Sequence, residues 1–196
     1  MAASAAAESL LARRITDWLE PKNWIIVVTL LIGWHAAQWV GVAWGVIGAL
    51  FAAVIPMAFI KRGIRKGRWG DRHVGAKRAR LIVMAVILLS VSLGITLMVF
   101  FGAPRMMVAL VVSMLVTLAI LAAITLAWKI SVHQAVSAGA CAMLVQAYGP
   151  WMAFLFLLVA IVGWSRIELQ DHTRNQVIAG TILGAIVAAE VFSLAK

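Results

Sequence analysis

Residues 165–177, SRIELQDHTRNQV, crowd Ser165, Arg166, Glu168, Asp171, His172, Arg174 and Gln176 between two apolar runs. Two more polar clusters interrupt apolar sequence upstream. WKISVHQA, residues 128–135, carries Lys129, Ser131 and His133, and KGRWGDRHVGAKRAR, residues 66–80, carries Arg72 and Arg80 among its basic residues. Guanidinium and ammonium groups bind phosphate oxygens and neutralise the charge that develops on them. One imidazole can attack phosphorus while a second protonates the departing oxygen. If the three clusters meet, their side chains suit phosphate-ester chemistry. For most of the basic residues of 61–80 the plainer reading is topology signal and lipid contact. His133 alone reads as a structural helix-end residue; its spacing from Ser131, together with the Ser165-Arg166 and His172 pattern, turns the reading to function.

The clusters meet only if the intervening elements pack as a bundle. The 196-residue chain is 64% hydrophobic and 12% charged, with mean hydropathy +1.03, against about 45–50% apolar and about 25% charged in soluble domains. The fold class expected is all-α, a polytopic transmembrane helical bundle. Apolar runs at 24–40, 43–60, 81–102, 106–128, 133–149, 151–164 and 177–195 predict about six to seven spans, a span needing about 20 residues. The first two runs form a hairpin turning near Gln38–Gly45, and Gly149-Pro150 separates the fifth from the sixth. Upstream, Leu11, Ile15, Trp18 and Leu19 recur at helical spacing with Arg13 and Arg14 between them, which predicts an interfacial amphipathic helix. Pro21 and Asn23 break it. The organisation expected is an interfacial segment 1–22, a hairpin 23–62 and a core 63–196.

With seven spans, all of the 17 Lys and Arg except Arg105 and Lys196 fall on the face that holds the N-terminus. Basic residues gather on the cytoplasmic side of short loops, so that face, with the polar clusters, is expected to be cytoplasmic in a bacterial-type plasma membrane. Trp24, Trp128 and Trp164 are expected at that interface, and Trp39, Trp44 and Trp151 at the other. The net charge of +10 points to anionic lipid or an anionic substrate rather than nucleic acid. Cys141 stands alone and can form no internal disulfide; with the four histidines it shows no metal-ligand spacing, so neither metal nor other cofactor is expected. His35 and His73 read as structural or interfacial, Glu190 as solvated near the far interface, and Gly180 with Gly184 as a site of close helix packing.

The order of these residues resembles the type 2 phosphatidic acid phosphatases, the membrane branch of a superfamily that includes vanadium haloperoxidases. The third motif of that family is Ser-Arg, five residues, His, three residues, Asp; here Ser165-Arg166, five residues, His172, three residues, Gln176. The second is Pro-Ser-Gly-His, against Ile130-Ser131-Val132-His133. The first, Lys, six residues, Arg-Pro, has no direct match; Asp71-Arg72 and Arg80 are the best substitutes, with Lys77 and Arg78 as alternatives. The resemblance covers residues 66–195 and leaves the first two helices as an ordinary extension. It implies a metal-independent membrane phosphatase acting on a lipid phosphate or pyrophosphate such as phosphatidic acid, phosphatidylglycerol phosphate or a polyprenyl phosphate. It further implies His172 as a nucleophile forming a phosphohistidine, and His133 as the acid that protonates the leaving alkoxide and then activates water. Arg166 and Ser131 would hold the nonbridging oxygens, with Ser165 opening the motif. The position of Lys129 favours phosphate binding too.

Gln176 departs from the family aspartate. It stands four residues after His172, one helical turn away on the same face. An acid there would take the Nδ1 proton and stabilise the charged ring; a glutamine carbonyl orients the ring without the charge. Either Asp171 or Glu168 compensates, or activity is lower. Two other classes remain open from the sequence: a catalytically weak relative that binds lipid or scaffolds membrane proteins, and a transporter-like bundle. Polar residues at one interface rather than along a midplane path speak against the latter.

Overall fold

The computed structural model describes residues 2–68 and 77–196, with side chains described outside 2–9 and Lys77. Among the described residues the protein is all helical. Helix α1 (Ala2–Trp18) precedes α2 (Pro21–Ala49), which passes through one π turn, Leu50–Val54, into α3 (Ile55–Arg65). Then come α4 (Lys77–Phe100), α5 (Arg105–Ala127), α6 (Val132–Tyr148), a 3₁₀ segment Pro150–Leu155 running into α7 (Phe156–Glu168), and α8 (Arg174–Ala195). Five helical stretches are long and apolar enough to cross a membrane: Leu10–Arg65, Arg78–Phe100, Arg105–Ala127, Pro150–Glu168 and Arg174–Ala195. They mark the chain as a membrane protein. Ile178, Ile182 and Ile186 repeat every four residues along α8 and all face outward, a stripe suited to lipid rather than water.

The first of those stretches doubles back inside α2. Ala37 and Gln38 leave the helical conformation, Gln38 with φ 50. The arms on either side pack backbone to backbone: a Cβ on Gly41 would lie 1.8 Å from the Gly33 carbonyl oxygen, and one on Gly45 2.5 Å from that of Thr29. The hairpin therefore turns at 37–38, at the start of the expected Gln38–Gly45 window, and Gly41 and Gly45 belong to the returning arm. Farther along that arm the π turn breaks the helical hydrogen-bond pattern. Ser90 of α4 donates a 2.6 Å hydrogen bond to the Phe51 carbonyl there.

Small residues set the packing of α6 on α8. A Cβ on Gly184 would sit 2.1 Å from the Ala135 carbonyl oxygen, and one on Gly139 3.0 Å from that of Gly184. A buried and a half-buried amide then tie helices together in an apolar setting: Gln134 Nε2 donates to the Val159 carbonyl at 2.9 Å and Gln146 Nε2 to that of Ala189 at 2.8 Å. Unpaired polar groups are costly away from water, so these bonds fix helix rotation.

In α1 the large apolar residues Leu11 and Trp18 are exposed, while Ala12 and Thr16 are buried where the helix meets α7. Small side chains permit that close approach, and the Thr16 hydroxyl lies 3.0 Å from the Ser165 hydroxyl. Trp24 is buried, because Trp24, Val28 and Ile32 share one inward stripe of α2. Trp128, Trp164, Trp39 and Trp151 remain exposed.

Candidate active site

Arg80 and the two downstream polar clusters meet at one end of the bundle, around the mouth of a cavity of about 330 Å³. Glu20, Lys22, Arg80, Lys129, His133, Arg166, Asp171 and His172 line that end, and the remaining wall is mostly apolar, with Val28, Ala52, Val91, Met114, Ala140 and Met143 among its residues. Four cations thus face two carboxylates, an excess of two positive charges before the imidazoles are counted.

The turn between α7 and α8 is built around Arg166, in the last turn of α7. The backbone N–H groups of Asp171 and His172 both donate to the Arg166 carbonyl, at 3.1 and 3.2 Å, and Gln170 takes φ 55 to reverse the chain. The Arg166 side chain is buried and pairs with Asp171, Nη2 to Oδ2, at 3.0 Å. Lys129 Nζ reaches the Asp171 carbonyl at 2.5 Å. Removing one member of such a pair leaves a buried charge uncompensated.

Thr173 starts α8 with a capping box. Its hydroxyl accepts the Gln176 N–H at 3.4 Å, while its own N–H donates to Gln176 Oε1 at 3.2 Å. Such a box satisfies two backbone donors that a helix start leaves open. The same Oε1 lies 3.0 Å from His172 Nδ1. Because the Thr173 N–H is a fixed donor, the amide oxygen must be the atom turned this way, and it can only accept. His172 Nδ1 therefore carries the proton, and Nε2 keeps its lone pair. Burial, with the positive charges of Lys129 and Arg166, pushes the His172 pKa down to about 4, against opposing contributions from the Gln176 bond and Asp171. At neutral pH the ring is uncharged and set in one tautomer, which is the form a nucleophile needs.

Helix α6 is anchored to the same place. Ser131 is buried, and its hydroxyl accepts the Gln134 N–H at 3.4 Å as the N-cap. The Ser131 N–H donates to the Gln176 carbonyl at 3.4 Å. That bond brings the start of α6, and with it His133, beside the start of α8.

His172, His133, Arg166, Lys129, Arg80 and Asp171 thus share one cavity. Ser131 is not among the residues that line it; its hydroxyl accepts at the cap of α6. Ser165 is also committed elsewhere, donating to the Val162 carbonyl at 2.8 Å and touching Thr16, so it braces α1 against α7 rather than orienting the site. Asp171 binds Arg166 and is not the hydrogen-bond partner of His172 Nδ1; that partner is Gln176. Glu168 is exposed and lies away from the cavity, so it does not replace the missing acid. Arg72, with Asp71 and His73, lies outside the described residues.

The hairpin is more than an extension, since Glu20, Lys22, Val28 and Ala52 all belong to the cavity wall. Glu20 is buried at the start of α2 and pairs with Lys22. The signal for it was the acid placed directly before Pro21, where proline at the first helical position fixes a helix start at the level of the other clusters. No family model, curated protein or solved structure matches this chain.

Proposed function

We propose that the protein is an integral membrane phosphatase acting on lipid phosphates through a covalent phosphohistidine. The observation that carries the reading is a single cavity with His172, His133, Arg166, Lys129 and Arg80 at its mouth and hydrocarbon-like walls beyond. His172 Nε2 attacks phosphorus, and the bond from phosphorus to the ester oxygen breaks. His133 gives its proton to the departing alkoxide. Water then attacks the phosphorus–nitrogen bond, giving its proton to His133 and releasing inorganic phosphate with His172 restored. Arg166, Lys129 and Arg80 offset the charge on the nonbridging oxygens. The resemblance to type 2 phosphatidic acid phosphatases supports the same roles.

In this reading the chain crosses the bilayer seven times. The turn at 37–38 divides the first apolar stretch in two, and α6, with 17 residues, is just long enough to count. The outward Leu11 and Trp18 of α1 would rest in the interface, and the charge asymmetry supports a mouth on the cytoplasmic side of a plasma membrane. The test is phosphate release from a panel of lipid phosphates in detergent, without added metal, comparing wild type with His172→Ala and His133→Ala. Turnover retained by His172→Ala overturns the covalent route. No turnover of any lipid by wild type favours a second reading, a lipid-binding relative without hydrolysis, which rests on the uncharged Gln176 beside His172.

A further inference from the structure

We propose that the apolar arm of the cavity is a binding site for one hydrocarbon chain, so that the substrate is a single-chain lipid phosphate rather than a two-chain phospholipid. This rests on the phosphatase reading for the phosphate end and on separate observations for the arm. The arm's walls are inside the bundle: Val28, Ala52, Val91, Ala140, Met143 and Ala188 line it, and each is buried. None is a lipid-facing groove residue.

Its depth follows from helix geometry. From Arg80 to Val91 along α4, and from His133 to Met143 along α6, the wall descends about 15 Å at ~1.5 Å per residue. A hydrocarbon core of about 30 Å gives each leaflet about the same depth, so the arm is as long as one chain in one leaflet. Its volume, about 330 Å³, falls at the lower end of the ~300–1,000 Å³ that holds one small ligand. A phosphate and one chain segment fill it.

Among the described residues, several elements crowd the cavity's mouth. Residues from α2 (Pro21), α3 (Ile60), α4 (Arg80), α6 (His133) and the α7–α8 turn (His172) all contribute to the cavity's outer part. A two-chain lipid joins its second chain only a few atoms from phosphorus, where these side chains stand. The wall also suits one flexible chain, since methionines at 84, 114 and 143 adapt to irregular apolar shapes.

The experiment has a binding arm and a turnover arm. Binding is read as the rise in melting temperature of His172→Ala protein in detergent with dodecyl phosphate, a prenyl phosphate or a two-chain phosphatidate. The single-chain compounds are expected to raise it with at least tenfold tighter apparent Kd. Turnover is read as kcat/KM of wild type on the same compounds and on phenyl phosphate. Ala140 lies seven residues below His133, about 10 Å along α6, so Ala140→Leu is expected to lower the ratio of dodecyl to phenyl phosphate kcat/KM about tenfold. Val91→Ala, which widens the arm, is expected to raise tolerance for branched chains and stands in if Ala140→Leu does not fold. Phosphatidate bound and turned over as well as dodecyl phosphate overturns the inference, as do ratios unmoved in both variants. A single-chain preference in binding without hydrolysis of any compound sustains the inference and sinks the phosphatase reading.

Discussion

Replacing Gln176 by Glu keeps the side chain's length and the residue type a capping box accepts, while placing a negative charge where Oε1 now lies 3.0 Å from His172 Nδ1. A unit charge about 4 Å from the ring, at an effective dielectric of about 20, is worth ~4 kcal/mol. The ring is partly open to water at the cavity mouth, and halving for screening leaves ~2 kcal/mol, about 1.5 pKa units. The midpoint of His172 starts at about 4 and should move to between roughly 5 and 6 in the variant. The sign is upward because the carboxylate stabilises the charged ring. Protonation removes the Nε2 lone pair, so the acid limb of the kcat/KM profile should rise by the same interval. Ring ¹⁵N chemical shifts of His172 against pH in detergent follow the midpoint without needing turnover. A midpoint that stays put or falls in Gln176→Glu refutes the assignment of Gln176 as the partner of Nδ1.

Folding stability should also depend on His172. Its folded pKa is depressed to about 4, so the unfolded state takes up the proton first; stability is full above about 6.5 and is lost as pH falls from there toward 4. Melting temperatures across pH 4–7 should show a smaller acid loss in His172→Asn than in wild type, and an identical loss would contradict the depressed pKa. Ser131→Ala should cost about 1 kcal/mol of stability as a lost N-cap and leave kcat near wild type, measured by denaturant titration and by turnover; a large fall in kcat at native stability would return Ser131 to the phosphate. Gly184→Ala should cost at least ~1–3 kcal/mol, because its Cβ would meet the Ala135 carbonyl at 2.1 Å. The outward Ile182→Ala should cost far less by the same melting assay.

Much of this architecture was legible in the sequence, because a membrane leaves few choices. Lipid satisfies no backbone polar group, so apolar runs must be helices, and the run boundaries gave the elements. The site was legible where chemistry is local: His172 and Gln176 stand four apart and do meet, although His172 precedes α8 and the contact comes from Gln176 reaching back in the capping box rather than from two positions on one helix face. Packing was less legible. Ser131 has the residue type for phosphate, yet it stands directly before α6, where its hydroxyl caps the helix. In α1 the sequence marked the larger apolar side chains of an interfacial helix, but not that Ala12 and Thr16 lie against α7, where only small residues allow two helices that close. Glu20 and Lys22 were missed for the opposite reason. They stand far from the motifs in sequence and reach the mouth only because the hairpin packs against α5 and α6.

The uncharged Gln176 fits the electrostatics of its surroundings in the proposed reaction. Attack by His172 creates a cationic phosphoryl-imidazole, and a neighbouring acid would normally stabilise it. Here the lining carries two more positive than negative groups, which disfavours a charged ring in the empty cavity and keeps it nucleophilic. A phosphate monoester brings close to two negative charges at neutral pH, so the substrate itself reverses the local balance as it binds. Asp171 adds to that reversal: an anionic substrate draws Arg166 away from it, and a carboxylate with less of its cation acts more strongly on the adjacent ring. On this account the substrate supplies part of the charge the missing aspartate would have provided. The His172 midpoint should then rise when phosphate or vanadate occupies the mouth, and by less in Arg166→Met, where the anion is held less well. A ring titration unchanged by either anion would remove the substrate from that role and leave Gln176 a defect rather than an adaptation.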